Sequence, residues 1–115
     1  MDTKKFRQLV ADAIDKLPDE FRDALENIEI VIEDQAPNEG NFLLLGLYEG
    51  VPLDKRSPQF YSGVLPDKIT LFRKSIEKYC NGNEAEMADQ IRRTFLHEIG
   101  HYFGMNDEKL RKLGY

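Results

Sequence analysis

A chain of 115 residues that is 41% hydrophobic and 32% charged has apolar mass for one core and too little length for two, so a single domain over residues 1–115 is expected. Its 16 basic and 21 acidic side chains leave a net charge of −5, and the basic ones fall in scattered pairs such as Lys4/Lys5, Lys55/Arg56 and Arg92/Arg93. No stripe suited to tracking phosphates results, so neither nucleic acid nor an anionic membrane is expected as a partner.

Phe6, Leu9, Val10, Ala13, Ile14 and Leu17 recur at the spacing of an amphipathic helix that Pro18 closes. Pro18 can open a second, shorter helix bearing Phe21, Ala24, Leu25 and Ile28. From residue 28 the period changes to two: Ile28, Ile30 and Ile32 alternate with Glu29, Val31 and Glu33, as in a half-buried strand. Residues 34–41 read as a turn, and residues 42–49 as a central strand, apolar on both faces. Glycines, prolines and serines punctuate residues 50–66, which read as irregular and as a plausible wall of an active site. Residues 68–73 have strand character and run into a helical pattern through Ile76, Tyr79 and Cys80, which Asn81-Gly82 ends. Asn83, with Glu86 three residues on, signals the start of a helix that continues to about Phe103, where Gly104 supplies a left-handed cap. A last helix starts near Asn106 and carries Leu110 and Leu113. The order implies an α+β fold, a small mixed sheet of about three to four strands packed with helices.

The longest apolar run, residues 42–48, is far shorter than the roughly 20 residues that span a bilayer. No uninterrupted apolar stretch follows the charged N-terminal residues, and a lone cysteine cannot form an intrachain disulfide. A cytoplasmic location is the expectation. Cys80 reads as a small core residue.

Both histidines fall in one pentapeptide, His97-Glu98-Ile99-Gly100-His101. Residues four apart share a helix face with Cβ atoms about 5–6 Å apart, so two imidazoles can converge on one zinc ion. Random shuffling of this composition places the two histidines as HExxH on the order of once in 600 sequences. Glu98 lies about 100° around the helix from His97, where it can take a proton from zinc-bound water without binding the metal. Catalytic zinc needs a third protein ligand, and Asp107 is the candidate. It follows Gly104, whose access to positive φ lets the chain leave the helix and turn back, giving HExxHxxGxxD. On a helical projection Ala88, Ile91, Phe95, Leu96, Ile99, Tyr102 and Phe103 oppose Gln90, Thr94, His97 and His101, so the imidazoles should look into a cleft. Glu49 and Asp67 are candidates to hydrogen-bond a ligating imidazole; Met105 reads as packing. Tyr61, Tyr102, Arg56 and Tyr115 are candidate oxyanion stabilisers, none favoured by spacing.

Residues 97–110 (HEIGHYFGMNDEKL), with residues 44–53 (LLGLYEGVPL) and 65–77 (LPDKITLFRKSIE), resemble the small bacterial zincin-like metallopeptidases. The resemblance implies a minimal zincin core, a few strands over a zinc helix, with His97, His101 and Asp107 as ligands and Glu98 as general base or acid. The expected activity is zinc-dependent hydrolysis of peptide bonds in a small or unfolded protein, with the substrate added to an exposed strand edge. The rival reading is a non-catalytic module in which zinc ties the last helix to the rest.

Overall fold

The computed structural model describes residues 1–37, 43–55 and 67–115. Helix α1 (Thr3–Asp15) starts where the Asp2 carboxylate accepts the Lys5 N–H at 2.7 Å, and it buries Phe6, Leu9, Val10 and Ala13. Pro18 precedes α2 (Asp19–Ala24), and one 3₁₀ turn leads from it into strand β1 (Ile28–Glu33). Strands β2 (Gly46–Glu49) and β3 (Asp67–Phe72) complete the sheet among the described residues, and β3 runs without a break into α3 (Arg73–Tyr79). Asn81 and Gly82, at φ 52° and 71°, stop that helix. The Asn83 side chain then accepts the Glu86 N–H at 2.9 Å and opens α4 (Glu84–Tyr102), the longest helix described. Helix α5 (Asp107–Lys112) is capped by Asn106, which accepts the Lys109 N–H at 2.8 Å. The fold is α+β with a small mixed sheet, as the element order implies. None of these helices is long and apolar enough to cross a membrane.

The sheet order is β1-β3-β2, with β1 parallel and β2 antiparallel to β3. The expectation of a central strand over residues 42–49 is therefore corrected. Phe42 lies outside the described residues, the strand covers only Gly46–Glu49, and among the described strands it occupies an edge. The centre belongs to β3, whose Ile69, Thr70, Leu71 and Phe72 are all buried. A strand apolar on both faces needs packed layers over both faces, whereas Leu43 is 88% exposed and Leu44, Leu45, Leu47 and Tyr48 are only half-buried. Of the remaining expectations for this region, residues 38–42 and 56–66 lie outside the described residues.

Helix α4 is the spine. Helices α1, α2 and α3 and strands β2 and β3 all contact it, and its Met87, Ile91, Phe95 and Ile99 are completely buried with Phe6, Ile69, Leu71 and Ile76. Cys80 is buried in the same core, and burial pushes its thiol above the ordinary value. Leu110 is fully buried and carries the docking of α5, whereas Leu113 is partly exposed. The approach is close: a Cβ added to Gly100 would lie 2.2 Å from Leu110 Cδ2. Gly100→Ala is expected to destabilise the protein, because overpacking costs about 1–3 kcal/mol and the gain in helix propensity returns at most about 1. Urea denaturation of Gly100→Ala and of the double variant with Leu110→Val checks this, the smaller partner restoring stability relative to the single change.

Candidate metal centre

His97 and His101 project from the same face of α4, with ring centroids 4.8 Å apart and planes at 85°. Their side chains are 31% and 29% exposed, while Ile91, Phe95 and Ile99 on the opposite face are buried, so the expected split between cleft side and core side holds. His101 Nδ1 lies 3.0 Å from the Met105 carbonyl oxygen, and His97 Nδ1 lies 3.4 Å from the main-chain oxygen of Tyr115. A main-chain oxygen accepts but does not donate, so each contact favours the tautomer with its proton on Nδ1 and leaves the Nε2 lone pair for a cation.

Asp107 returns to these nitrogens. Its Oδ1 is 3.4 Å from His97 Nε2 and 3.3 Å from His101 Nε2. Bonds of 2.0–2.1 Å at tetrahedral angles put neighbouring ligand atoms about 3.3 Å apart, so the spacing and the N/N/O donor set suit zinc. Asp107 is 70% exposed. The return is a local property of the chain. Gly104, at φ 91°, ends α4 with paired bonds, Met105 N–H to the Gly100 carbonyl at 3.0 Å and Gly104 N–H to that of His101 at 2.9 Å. Asn106 then starts α5, and Asp107 occupies its first turn, where a carboxylate is electrostatically favoured.

His97, Glu98 and His101 form a group whose ligand atoms lie within 4.8 Å of one another and that could hold a metal ion. Glu98 differs from the histidines in being buried, and its Oε1 accepts the Tyr48 N–H of β2 at 3.0 Å. Burial raises its carboxyl above the ordinary value, against the pull of His101, His97 and the Tyr48 N–H, and Asp107 adds to the rise.

The Met105 and Tyr115 main-chain oxygens approach the imidazoles; Glu49 and Asp67 are the sequence candidates for that role, with solvated strand ends as the alternative. Glu49 is exposed and lies 3.7 Å from Lys68 Nζ. Asp67 is buried at the start of β3 and accepts the Tyr48 hydroxyl at 3.0 Å, bracing the strand that meets Glu98. Met105, read as packing, contributes its carbonyl. Among the oxyanion candidates, Tyr102 is buried with its ring edge-on to Tyr48 and cannot reach the cleft. The Tyr115 ring packs edge-on against Phe21, and the residue lines the cleft beside His97. Arg56 and Tyr61 lie outside the described residues.

Gly104 has a second constraint besides its φ: a Cβ there would lie 2.4 Å from the Asp54 carboxyl carbon. Gly104→Val is expected to weaken zinc affinity at least tenfold although it touches no imidazole or carboxylate of the site. Gly82→Ala, also at positive φ but with open space around it, should lose about 1 kcal/mol of stability and leave affinity unchanged. Competition with a chromophoric chelator measures both.

A model of the zincin-like metallopeptidase family matches residues 25–115. No curated protein matches the sequence. The match covers every element from the end of α2 through the two histidines to α5, more than three-quarters of the chain, and the chain belongs to the family of zincin-like metallopeptidases.

Proposed function

We propose that the protein is a zinc-dependent peptidase in which His97, His101 and Asp107 hold the metal and Glu98 is the general base. The observation that carries this reading is the meeting of two Nε2 atoms and one carboxylate oxygen at 3.3–3.4 Å, with both Nδ1 atoms turned to main-chain oxygens. Zinc held there would supply a Lewis acid and lower the pKa of a water in its open position.

The chain's own groups account for the remainder. With Oε1 held by the Tyr48 N–H, the second oxygen of Glu98 accepts a proton from the attacking water and delivers it to the departing amine. The Leu45 carbonyl accepts the Phe72 N–H at 3.0 Å, and ladder bonds alternate along an antiparallel strand. The main-chain groups of Gly46 and Tyr48 therefore face the free edge of β2. An extended peptide pairs there at Gly46, beside the position already taken by Glu98. A cleft of about 420 Å³ adjoins His97 and Glu98, and a second of about 420 Å³ adjoins His101 and Asp107. The two provide for substrate residues on either side of the cleaved bond. Open clefts of this kind suit a small or unfolded polypeptide.

The geometry favours this reading over a structural zinc. Helix α5 is already fixed by the buried Leu110, the Asn106 cap and the paired bonds at Gly104, and the exposed side of Asp107 leaves room for a fourth, exchangeable ligand.

Three outcomes are expected. Glu98→Gln retains one zinc per chain and loses cleavage of unstructured protein by at least 10²-fold, measured by metal analysis beside fluorogenic turnover. Asp107→Asn, which removes the anionic ligand, weakens zinc affinity. Chelation of the metal abolishes turnover and leaves the circular dichroism of all helices in place; loss of α5 on chelation would establish the structural role instead.

A further inference from the structure

The cleft on the His97 side has a chemical character of its own. Its walls are the chain leading into β2 and the α4 face bearing Arg93, Thr94, His97 and Glu98. Leu43 and Tyr79, 88% and 58% exposed, present apolar surface to it. Besides His97, with the Tyr115 main-chain oxygen 3.4 Å from its Nδ1, the acidic and basic side chains that line it among the described residues are Glu98, which the Tyr48 N–H engages, and Arg93, one helical turn before His97.

Arg93 is held in place without being neutralised. Its Nε donates to Asp89 Oδ2 at 2.9 Å, while the other oxygen of Asp89 accepts from Arg92 at 2.9 Å. One carboxylate thus serves two guanidinium groups, and a positive charge is left over. The bond through Nε restrains a guanidinium whose side chain is otherwise 62% exposed. Its two terminal nitrogens, with four N–H groups, have no hydrogen-bond partner among the described residues. A planar fork of free donors beside a cleft matches a carboxylate, which accepts two parallel bonds.

We infer that Arg93 is a specificity-determining residue that binds a substrate carboxylate in the cleft beside His97. The inference rests on the peptidase reading for the identity of the ligand as a peptide. Two sources offer the group: an acidic side chain near the cleaved bond, or the C-terminal carboxylate of a short peptide.

The test uses the zinc-loaded Glu98→Gln protein, so that peptide is bound and not consumed, with dye-labelled unstructured hexapeptides followed by fluorescence anisotropy. One series places Glu or Gln at each position in turn; the other pairs a free C-terminal carboxylate with its amide. The expected result is about tenfold tighter binding of the acid form in one of the two series, which identifies the source. Arg93→Gln brings that ratio close to one, and Arg93→Glu reverses it. A ratio near one in the parent protein, a ratio unchanged by Arg93→Gln, or no binding by any peptide overturns the assignment. Acid preference that depends on Arg93, in a protein whose wild type cleaves nothing, would sink the peptidase reading and leave the carboxylate site standing.

Discussion

The reversal of the backbone after α4 is the constraint on which the centre depends. Had the helix continued, six further residues would have carried Asp107 about 9 Å along the axis from His101, out of reach of both imidazoles. Gly104 at φ 91° makes the reversal possible, and a side chain there would have to displace the exposed Asp54 carboxylate as well as adopt a strained φ. Leu110 then seats α5 in the space that Gly100 leaves open. These devices are packing and hydrogen bonding, and they operate whether or not a cation is bound. If His97, His101 and Asp107 hold the metal as proposed, the conformational entropy of bringing them together is spent during folding, and more of the binding free energy would appear as affinity.

A second dependence runs through the sheet. Because β3 takes the centre, β2 lies at an edge of the sheet among the described residues, against α4, and the Tyr48 N–H points away from β3. Glu98 takes it at 3.0 Å. The contact is reciprocal: a carboxylate nearly buried under β2 needs a donor, and an edge N–H needs an acceptor. Tyr48 is itself braced, its hydroxyl on Asp67 and its ring edge-on to Tyr102. The orientation of Glu98 is therefore coupled to the central strand and to the core face of its own helix. One hydrogen bond offsets only part of the desolvation, which is why the carboxyl remains raised.

Side-chain patterns in the sequence carried much of this arrangement. The stripe of α1, the six residues of β1, the Asn83 and Asn106 caps and the left-handed stop at Gly104 were all legible because each is a local preference with few competing solutions. The shared face of the two histidines was legible because spacing on a helix fixes direction, and the return of Asp107 was legible only through the stop at Gly104. What failed was tertiary choice. An apolar run such as residues 43–48 does not reveal which strand will be central, and β3 won that position with buried side chains on both faces. The supports of the imidazoles were hidden for another reason. They are the main-chain oxygens of Met105 and Tyr115, which every residue type possesses, so no side chain announces them. Glu49 and Asp67 were attractive because carboxylates are visible in a sequence and carbonyls are not.

That division decides where the centre is vulnerable. A carbonyl that orients an imidazole survives replacement of its own side chain, provided the backbone keeps its course, and the same holds for the N–H that orients Glu98. The sensitive positions are those that determine the course: Gly100 under Leu110, Gly104 against Asp54, and Asp67 beneath Tyr48. None of the three donates an atom to the metal position. Their geometric tolerance is nonetheless narrow, because added atoms at either glycine meet packed neighbours within 2.4 Å, whereas a ligand side chain can rotate to recover part of its contact. The precision of the site is therefore set by the absence of side chains at two positions on and just beyond the zinc helix.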